Sequence, residues 1–470
     1  MNEDVVIDNL ESLRRLIRDA PEALLPIGLH EVVRGRDALR MLPSVLDRYD
    51  PAIGSTVSVL SDTTPKRYAN REVLEVTLET LSARSVEVVR IAPDGATARV
   101  LANETTIAMA LAETRARRPR VLVSVGSGTI VDIAKVVAHE LSLPHVVVQT
   151  AASVNGFADN QSVLLIDGVK RTTPSQWPDA LIIDPWVVAE APEAMTRSGL
   201  GDEISMFTAG ADWYLSNAIG YDPGYSPTVT SFMRRGVDGL LARSSDLGRG
   251  DQRAVGMLAS CLTVSGIAMG VAARTTPSSG SEHLVSHLLE MDADAFHTDG
   301  ASHGSQVGAA CILASIVWQR VRDHLMAGAA TINLAQLADR DRVLRAFGHL
   351  DSSGAAAQEC WHAYEPKAAW IRDHVADIED AIAAWPEHDR AVDELLKPAD
   401  VLASALRRAR APIAFSQLEP VPKPEVVAWA VANCHRMRDR FTVFDLAELL
   451  GLWGERDVAL VLRDHQDLAQ

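Results

Sequence analysis

Two histidines that lie four residues apart are candidates for metal binding or catalysis. His283 and His287 stand in SGSEHLVSHLLEM, residues 279–291, and on a helix this spacing places both imidazoles on one face. Such a pair can bind one metal jointly, or one member can ligate while the other faces a substrate. Because the chain has 14 histidines, a pair at this spacing can also arise by chance, without a metal.

Two further residues extend the pair to a candidate metal set. His303 begins HGSQVGAACILAS, where it is predicted to open the next helix, and Asp202 follows a glycine in SGLGDEISMF, where a helix start is predicted. Neutral imidazoles and a carboxylate are suitable ligands for zinc, iron or nickel. The spacing alone leaves both possibilities open, a metal site and an accidental cluster.

A glycine turn between a strand and a helix is a candidate dinucleotide site. In PRVLVSVGSGTIVDIAKVVAHELSLPHVVVQT, Gly126 and Gly128 stand where a strand turns into a helix, at the length of a βαβ unit. Without side chains there, backbone N–H groups can approach a pyrophosphate at the helix N-terminus. The glycines can equally serve the turn alone. Neither GxGxxG nor the Lys-Ser/Thr pair of a P-loop is present, which disfavours ATP.

Three charged residues lie close to this turn or to the end of a neighbouring strand. Asp132 and Lys135 follow one and two turns into the helix, where they form a solvated ion pair or face the turn. Asp62 closes the strand TVSVLSD, a place from which a carboxylate can accept hydrogen bonds from a ribose. A turn-forming or helix-capping aspartate is the structural alternative for Asp62.

The elements that position these residues differ between the two parts of the chain. Between about residues 50 and 190, short apolar runs alternate with helical patterns: TVSVLSD, VEVVRIA, RVLVSVGSG, HVVVQTAAS and ALIIDP. This alternation predicts a parallel sheet covered by helices. Beyond Pro192, Ala-rich and Leu-rich segments follow helical spacing. We predict an α/β Rossmann-like domain over residues 1–190, with a helical extension over 1–30, and an all-α domain over 191–470.

Composition and charge exclude several classes of function. Hydrophobic residues make up 47% and charged residues 23% of the 470 residues, as is typical of globular proteins. The net charge of −17, without a Lys/Arg cluster, argues against nucleic acid. Four scattered cysteines without a CxxC pair favour a reducing cytoplasm. We expect neither an export signal nor a membrane span, since the sequence shows no apolar run of about eighteen residues.

Several segments, taken in order and spacing, resemble the sn-glycerol-1-phosphate dehydrogenases, especially their bacterial branch. These segments are GSGTIVDIAK, the TAAS run at Thr150, SGLGDEISMFTAGADW, SGSEHLVSHLLEM and HGSQVG. The family belongs with the iron-containing alcohol dehydrogenases, glycerol dehydrogenases and dehydroquinate synthases, and the resemblance spans roughly residues 30–455. It implies an N-terminal domain that binds NAD or NADP and a helical C-terminal domain of the dehydroquinate synthase-like type that holds one divalent metal, zinc, iron or nickel.

The resemblance also implies roles for individual residues. The metal ligands would be Asp202, His283 and His303, with His287 beside them and near the substrate. The cofactor pyrophosphate would lie on Gly126, Ser127, Gly128 and Thr129, with Asp132 close by, Asp62 on the adenosine side, and Thr150 and Ser153 lining the cofactor and substrate cleft. Relatives of this kind suggest a homodimer or a higher homo-oligomer.

The implied reaction is hydride transfer from the nicotinamide to a ketone polarised by the metal, nominally dihydroxyacetone phosphate, which becomes sn-glycerol 1-phosphate. Three protein ligands leave a coordination position open for the substrate oxygen. A proton must then reach the alkoxide, through water or through His287, whose ordinary pKa of about 6.5 suits relay work.

The substrate side of the chain departs from the family pattern. Ser153, Val154, Asn155 and Gly156 stand where the family tends to have Ser-His-Asp-Gly, and Gln149 replaces a proline. Thr276-Pro277 stands where the family has Arg-Pro, which removes a two-pronged donor suited to phosphate. The amide of Asn155 can still hydrogen-bond a substrate hydroxyl. Cationic partners for an anionic substrate remain available at Lys170, Arg171 and Arg274.

These departures leave other functions open. The chain could act on a different ketone or polyol, or it could be a lyase-type sugar-phosphate cyclase like dehydroquinate synthase, which uses NAD transiently. The lysine-rich substrate site of such cyclases is not evident at SVNGFADNQS. A non-catalytic binding protein with a decayed cleft is a third alternative, against which the retained Asp202, His283 and His303 argue.

Overall fold

The computed structural model describes residues 10–51, 54–93, 100–166, 169–328 and 330–470. The chain forms two compact units. Met1–Gly199 and Ser231–Arg274 make up the first unit, and Leu200–Thr230 and Thr275–Gln470 make up the second.

A six-stranded parallel sheet forms the centre of the first unit. Its strands in chain order are β1 (Glu31–Arg34), β2 (Thr56–Asp62), β5 (Ser85–Ile91), β6 (Val121–Gly126), β7 (His145–Gln149) and β10 (Ala180–Ile183). Their spatial order is β1-β10-β7-β6-β2-β5. All five strand-like runs of the sequence lie in this sheet, so the predicted parallel α/β architecture is confirmed.

The sheet is apolar on both faces, as the continuous apolar runs predict. Alternate side chains such as Val59 and Val123 contribute to one core, and their neighbours Leu60 and Leu122 contribute to another. The covering helices are α2 (Leu42–Tyr49), α3 (Val73–Thr80), α4 (Glu104–Arg117), α5 (Gly128–Leu141) and α6 (Pro185–Ala189), and α1 (Leu10–Arg18) precedes the first strand. Both faces of the sheet are therefore covered.

Two antiparallel ribbons complete the strands of the first unit. A short one pairs β3 (Arg67–Tyr68) with β4 (Arg71–Glu72), and a longer one pairs β8 (Gln161–Ile166) with β9 (Val169–Pro174). The longer ribbon carries Lys170 and Arg171 on β9. The predicted helical extension over residues 1–30 is a helix over Leu10–Arg18, and residues 1–9 lie outside the described part of the chain.

The first unit also contains helices from beyond the predicted domain boundary at residue 190. These are α10 (Ser244–Leu247) and α11 (Gln252–Ala272), with most of α9 (Pro227–Ala242). Helix α11 packs on α6 so closely that a Cβ on Gly256 would lie 3.1 Å from Pro185. The backbone N–H of Leu25 also donates to the Val271 carbonyl. These long-range contacts attach α11 to the first unit, a division that differs from the one predicted from composition.

Helix α11 is long and apolar enough to cross a membrane by length and composition, which corrects the expectation that no segment approaches that length. In the structure, 94% of its most apolar window is buried. Length and composition are weak evidence for a span in this case, because the core helix of a globular protein meets the same criteria.

The regular structure of the second unit is helical, and no strand lies among its described residues. Its helices are α8 (Ser205–Ala218), α12 (Ser281–Ala295), α13 (His303–Met326), α14 (Arg340–Phe347), α15 (Ala355–Asp373), α16 (Val375–Ala383), α17 (Trp385–Leu395), α18 (Ala399–Arg408), α19 (Pro424–Asn433), α20 (Val443–Leu449) and α21 (Glu455–Asp467), with the end of α7 (Glu193–Glu203) and the start of α9. Helix α13 lies at the centre and contacts α8, α12, α17, α18, α20 and α21. The predicted all-helical second part is thus confirmed.

Candidate active site

Three residues from three helices of the second unit meet at one point. Asp202 lies in the last turn of α7, His283 in the first turn of α12, and His303 is the first residue of α13. The Nε2 atom of His283 lies 3.3 Å from Oδ1 of Asp202, and the Nε2 atom of His303 lies 3.9 Å from the same oxygen. The structure therefore brings together the three predicted metal ligands. The prediction that Asp202 stands at a helix start is wrong. It lies near the end of α7, which begins nine residues earlier.

A glutamate contacts the other ring nitrogen of each of these histidines. The Nδ1 atom of His283 lies 2.8 Å from Oε1 of Glu282, and the Nδ1 atom of His303 lies 3.2 Å from Oε1 of Glu290. Burial lowers the pKa of His283, but its contacts with Asp202 and Glu282 outweigh burial and raise that pKa to about 9. Each imidazole is thus held with Nε2 turned toward Asp202.

Glu282 and His303 are in turn fixed by further hydrogen bonds. Thr208 donates to Oε2 of Glu282 at 2.6 Å, and the Gly280 N–H donates to Oε1 at 2.6 Å. The hydroxyl of Ser286 lies 3.3 Å from Nδ1 of His303 and donates to Gln306 at 3.2 Å. Second hydrogen-bond partners of this kind orient the rings of metal-binding histidines in proteins.

His287 lies beside the three residues and not among them. Its ring is 5.9 Å from the ring of His283 and 5.8 Å from that of His303, measured between centroids. Burial, together with the charge of Arg438, lowers the pKa of His287 well below its ordinary value, so the ring is neutral at neutral pH. Its Nδ1 atom is buried without a hydrogen-bond partner in the described part of the chain. A second set with metal-ligand spacing, His287, Glu290 and His303, overlaps the first.

Glycines set how closely the helices that carry Asp202 and His303 approach each other. Gly201 precedes Asp202, and Gly304 follows His303. A Cβ on Gly201 would lie 2.0 Å from the Gly304 carbonyl oxygen and 3.2 Å from the Cα of Gly308. Since real Cβ atoms do not approach backbone this closely, helices α7 and α13 meet here backbone to backbone.

Charged side chains from distant parts of the chain hydrogen-bond to the start of α12 and to the segment before it. Asp212 on α8 accepts from the Ser281 N–H at 2.7 Å and from the Val443 N–H at 2.9 Å, so one carboxylate caps both α12 and α20. Arg440 donates to the hydroxyl of Thr275 at 2.8 Å and to that of Ser279 at 2.8 Å. These contacts hold the segment that leads into His283.

The donor set fits a divalent metal. The ligand atoms of Asp202, His283 and His303 all lie within 4.8 Å of one another, which is the spacing of ligands around one ion. Two imidazoles and one carboxylate are found at catalytic zinc sites and at non-haem iron sites. Carboxylate partners on both histidines are a further property of such sites.

In the first unit, the glycine turn connects β6 to α5. Ser127 is the N-cap of α5 and makes no side-chain capping hydrogen bond among the described residues. The N–H groups of Gly128 and Thr129 therefore lie in an uncapped first turn. A Cβ on Gly128 would lie 2.7 Å from Cγ2 of Val154, so Val154, one of the departures from the family pattern, lies directly against the turn.

Lys135 and Asp132 form part of a buried network. One of the two predictions for them was a solvated ion pair. The Nζ of Lys135 is fully buried; it lies 2.5 Å from Asp159, 3.4 Å from Asp132 and 2.8 Å from the Gly156 carbonyl. Burial raises the pKa of Asp132 to about 7, against the opposing charge of Lys135. The solvated alternative is wrong because α5 packs against the ribbon strand β8 and the loop before it.

Three further predicted residues of the first unit lie at or just after the carboxyl ends of the sheet strands. Asp62 ends β2, is paired with Lys66 and lines a cavity of about 150 Å³ with Arg90. Thr150 and Ser153 follow β7 and are buried, and the Thr150 N–H donates to the Gly126 carbonyl at 3.1 Å. Carboxyl ends of parallel strands are where α/β sheets bind ligands.

Other predicted residues lie on loops. Asn155 follows β7, and the backbone carbonyl of Asn155 would lie 2.5 Å from a Cβ on Gly266. Arg274 ends the first unit, and its Nε donates to the Ala272 carbonyl at 3.3 Å. The hydroxyl of Thr276 is buried with no hydrogen-bond partner among the residues that the structure describes.

The residues that support the candidate metal ligands were not predicted from the sequence. These are Thr208, Glu282, Ser286, Glu290 and Gln306. A signal for some of them was present, since His283, Ser286, His287 and Glu290 follow helical spacing and alternate with the apolar pairs Leu284-Val285 and Leu288-Leu289. A polar stripe on a buried helix needs hydrogen-bond partners and therefore indicates a site.

Comparisons with known proteins agree with this geometry. Residues 33–192 match the model of the iron-containing alcohol dehydrogenase family. A glycerol-1-phosphate dehydrogenase [NAD(P)+] from Bacillus licheniformis is 28% identical over 91% of this chain and 90% of its own length. One from Geobacillus stearothermophilus is 30% identical over 63% of this chain and 71% of its own length.

Solved structures show the same fold. A probable glycerol dehydrogenase from Sinorhizobium meliloti 1021 matches with a TM-score of 0.58 and 15% identity, over 95% of this chain and 99% of that one. The family resemblance and the two-part fold predicted from the sequence are confirmed. The chain therefore belongs to the glycerol-1-phosphate dehydrogenase family within the iron-containing alcohol dehydrogenases, and it is a metal-dependent, NAD(P)-linked oxidoreductase.

Proposed function

We propose that the enzyme interconverts dihydroxyacetone phosphate and sn-glycerol 1-phosphate with NADH or NADPH, and that Asp202, His283 and His303 hold its divalent metal. The observation that carries the proposal is the arrangement of the two histidines, whose Nε2 atoms face one oxygen of Asp202 while their Nδ1 atoms contact Glu282 and Glu290.

The bound metal supplies Lewis acidity toward a carbonyl oxygen, and the nicotinamide supplies or accepts the hydride. The chain orients these groups. Glu282 and Glu290 hold a proton on Nδ1 of His283 and His303, so that Nε2 is the atom each ring would offer to a metal, which at His283 would displace the second proton of the imidazolium. In the first unit, the uncapped first turn of α5 receives the pyrophosphate at Gly126, Ser127, Gly128 and Thr129.

His287 is the candidate proton relay. A neutral imidazole donates a proton from one ring nitrogen while it accepts another at the second nitrogen. The low pKa of His287 keeps the ring neutral, and its Nδ1 has no partner among the described residues. In the reducing direction, the relay would give a proton to the product oxygen and regain one from water. Asn155 stays a predicted contact for a substrate hydroxyl.

Two departures from the family pattern favour a different ketone as the substrate. Thr276 stands where the family has an arginine, and Val154 lies against the glycine turn where the family has a histidine. Fewer cationic groups weaken the case for a phosphorylated substrate. A non-phosphorylated ketone or polyol is therefore the second candidate.

The decisive experiment measures the oxidation of NADH and NADPH by purified protein reconstituted with zinc, iron or nickel. We expect turnover with dihydroxyacetone phosphate, and loss of metal and turnover together in Asp202→Asn. The exposed Asp380→Asn serves as the matched control and keeps both. Turnover only with non-phosphorylated ketones would establish the second candidate, and a product formed without net NADH consumption would instead indicate a cyclase.

Location and assembly belong to the same proposal. We place the enzyme in the cytoplasm, because its four cysteines lie far apart in the sequence without a CxxC pair, as is typical of proteins from a reducing compartment. We also propose a homodimer or a higher homo-oligomer, which size-exclusion chromatography with light scattering checks. A monomer at micromolar concentration would contradict the assembly.

A further inference from the structure

A cavity of about 610 Å³ opens in the second unit. Helices α12 and α19 and the segments around residues 298–301 and 418–423 form its walls. This volume lies in the range of small-molecule binding sites, roughly 300–1,000 Å³. No described residue that lines it belongs to the predicted metal or cofactor set.

Aromatic rings form one wall of the cavity. The ring of Phe296 stacks with that of His349 at 6.5 Å, and His349 meets Trp429 edge to face at 4.6 Å between centroids. Trp429 is held in place because its Nε1 donates to the Ala346 carbonyl at 2.7 Å. At the mouth, Phe296 is 55% exposed and Val421 is 60% exposed. Two large apolar side chains are thus left in water at one opening.

The charges around the cavity are predominantly negative. Asp292, Asp299 and Glu425 line it, against one lysine, Lys423. The side chain of Asp292 is 16% exposed, and one of its carboxylate oxygens lies 4.0 Å from Nε2 of His349. Burial raises the pKa of Asp292, and a bound cation would stabilise its charged form. Aromatic faces beside a carboxylate favour an organic cation.

The inner wall of the cavity connects to the candidate metal ligands. Gln306 lines the cavity and is 2% exposed. It accepts from Ser286 at 3.2 Å, and the same hydroxyl lies 3.3 Å from Nδ1 of His303. The amide of Gln306 also donates to the carbonyl of Ala301, another lining residue, at 2.9 Å. A ligand that displaces Gln306 would therefore change the hydrogen bonds of His303.

We infer that this cavity binds a compact organic cation with an aromatic or apolar body, and that its occupancy is transmitted to His303 through Gln306 and Ser286. The ammonium group pairs with Asp292, and the body packs on Phe296 and Trp429. The transmission rests on the proposed metal site, whereas the binding does not.

Calorimetric titration of the full chain with 2-phenylethylammonium tests the binding. We expect 2-phenylethanol, the neutral analogue, to bind about tenfold more weakly, because it lacks the ion pair. Asp292→Asn should lose about the same factor, and Val421→Lys should weaken binding by placing a cation at the exposed mouth. Asp380→Asn, an exposed aspartate outside the cavity, is the control. Equal binding of the ammonium and the alcohol, or full binding by folded Asp292→Asn, overturns the cation site.

The absorption bands of the Co²⁺-loaded protein test the transmission. Addition of 2-phenylethylammonium should shift the bands in the natural protein and leave them unmoved in Ser286→Ala, which lacks the connecting hydroxyl. Bands that do not move in the natural protein overturn the transmission. If Co²⁺ does not bind, the metal site and the transmission both fail, while the titration still decides the cation site.

Discussion

The Nδ1 atom of His283 lies 2.8 Å from Oε1 of Glu282, the residue that precedes it in the chain. Neighbours along a helix point in different directions, so this contact depends on the first turn of α12, where Glu282 turns back toward the Gly280 N–H. Because Thr208 on α8 also donates to this glutamate, the orientation of one candidate ligand depends on two helices.

We expect Glu282→Gln to lower the affinity for a divalent metal about 10- to 100-fold, since the amide cannot stabilise the ligating imidazole as a carboxylate does. Competition of the protein against a chelator for Zn²⁺ measures the effect. Glu365→Gln, an exposed glutamate on α15, is the matched control. An unchanged affinity in folded Glu282→Gln would show that the contact does not orient the ligand.

Asp212→Asn should destabilise the protein by about 1–3 kcal/mol. The carboxylate accepts two backbone N–H groups at the starts of α12 and α20, and an asparagine can offer only one oxygen. Urea unfolding measures the loss as a lower midpoint. The exposed Asp380→Asn should leave the urea midpoint unchanged. Equal midpoints for the two variants would show that Asp212 does not stabilise the protein by capping both α12 and α20.

The buried His145 should make stability fall in mild acid. Burial in β7 lowers its pKa to about 3, whereas the unfolded chain binds a proton at about pH 6.5. Below about pH 6.5 His145 therefore binds a proton in the unfolded chain but not in the folded protein. The free energy of unfolding falls by about 1 kcal/mol per pH unit until about pH 3.

Urea midpoints at several pH values check this dependence. His145→Gln should flatten the profile below about pH 6.5. His139→Gln, an exposed histidine on α5, should keep the profile of the natural protein. Parallel profiles for the natural protein and His145→Gln would assign the acid sensitivity to other groups.

Lys135→Met should cost about 3–5 kcal/mol of stability, because it leaves Asp132 and Asp159 buried without their cation. The double variant Lys135→Met, Asp159→Asn should recover part of the loss, since one uncompensated charge is removed. Thermal and urea unfolding of both variants measure the difference. Strictly additive losses would mean that the lysine and Asp159 do not interact.

Much of the fold is predictable from the sequence. The five predicted strands are continuous apolar runs, and such runs are buried on both faces of a parallel sheet. Strand β1 was missed because EVVR is short and bounded by charged residues. The β8–β9 ribbon was missed because its strands mix polar and apolar residues without a clear period.

The candidate site is predictable in part. The types and order of Asp202, His283 and His303 indicate a metal only when the family resemblance is added to them, because their spacing alone also fits an accidental cluster. The role of Glu290 depends on how α12 and α13 approach each other, and no local pattern encodes that distance. The membership of α11 in the first unit likewise depends on long-range contacts with Pro185 and the segment around Leu25.

The close approach of α7 and α13 at Gly201 and Gly304 has a consequence for how such a centre can change over generations. The separation between Asp202 and His303 is set by residues that have no side chain and cannot ligate anything. A single methyl group at position 201 would move Asp202 away from His303 without altering either of these candidate ligands. The geometry of the candidate centre can therefore change through these glycines while Asp202, His283 and His303 stay constant.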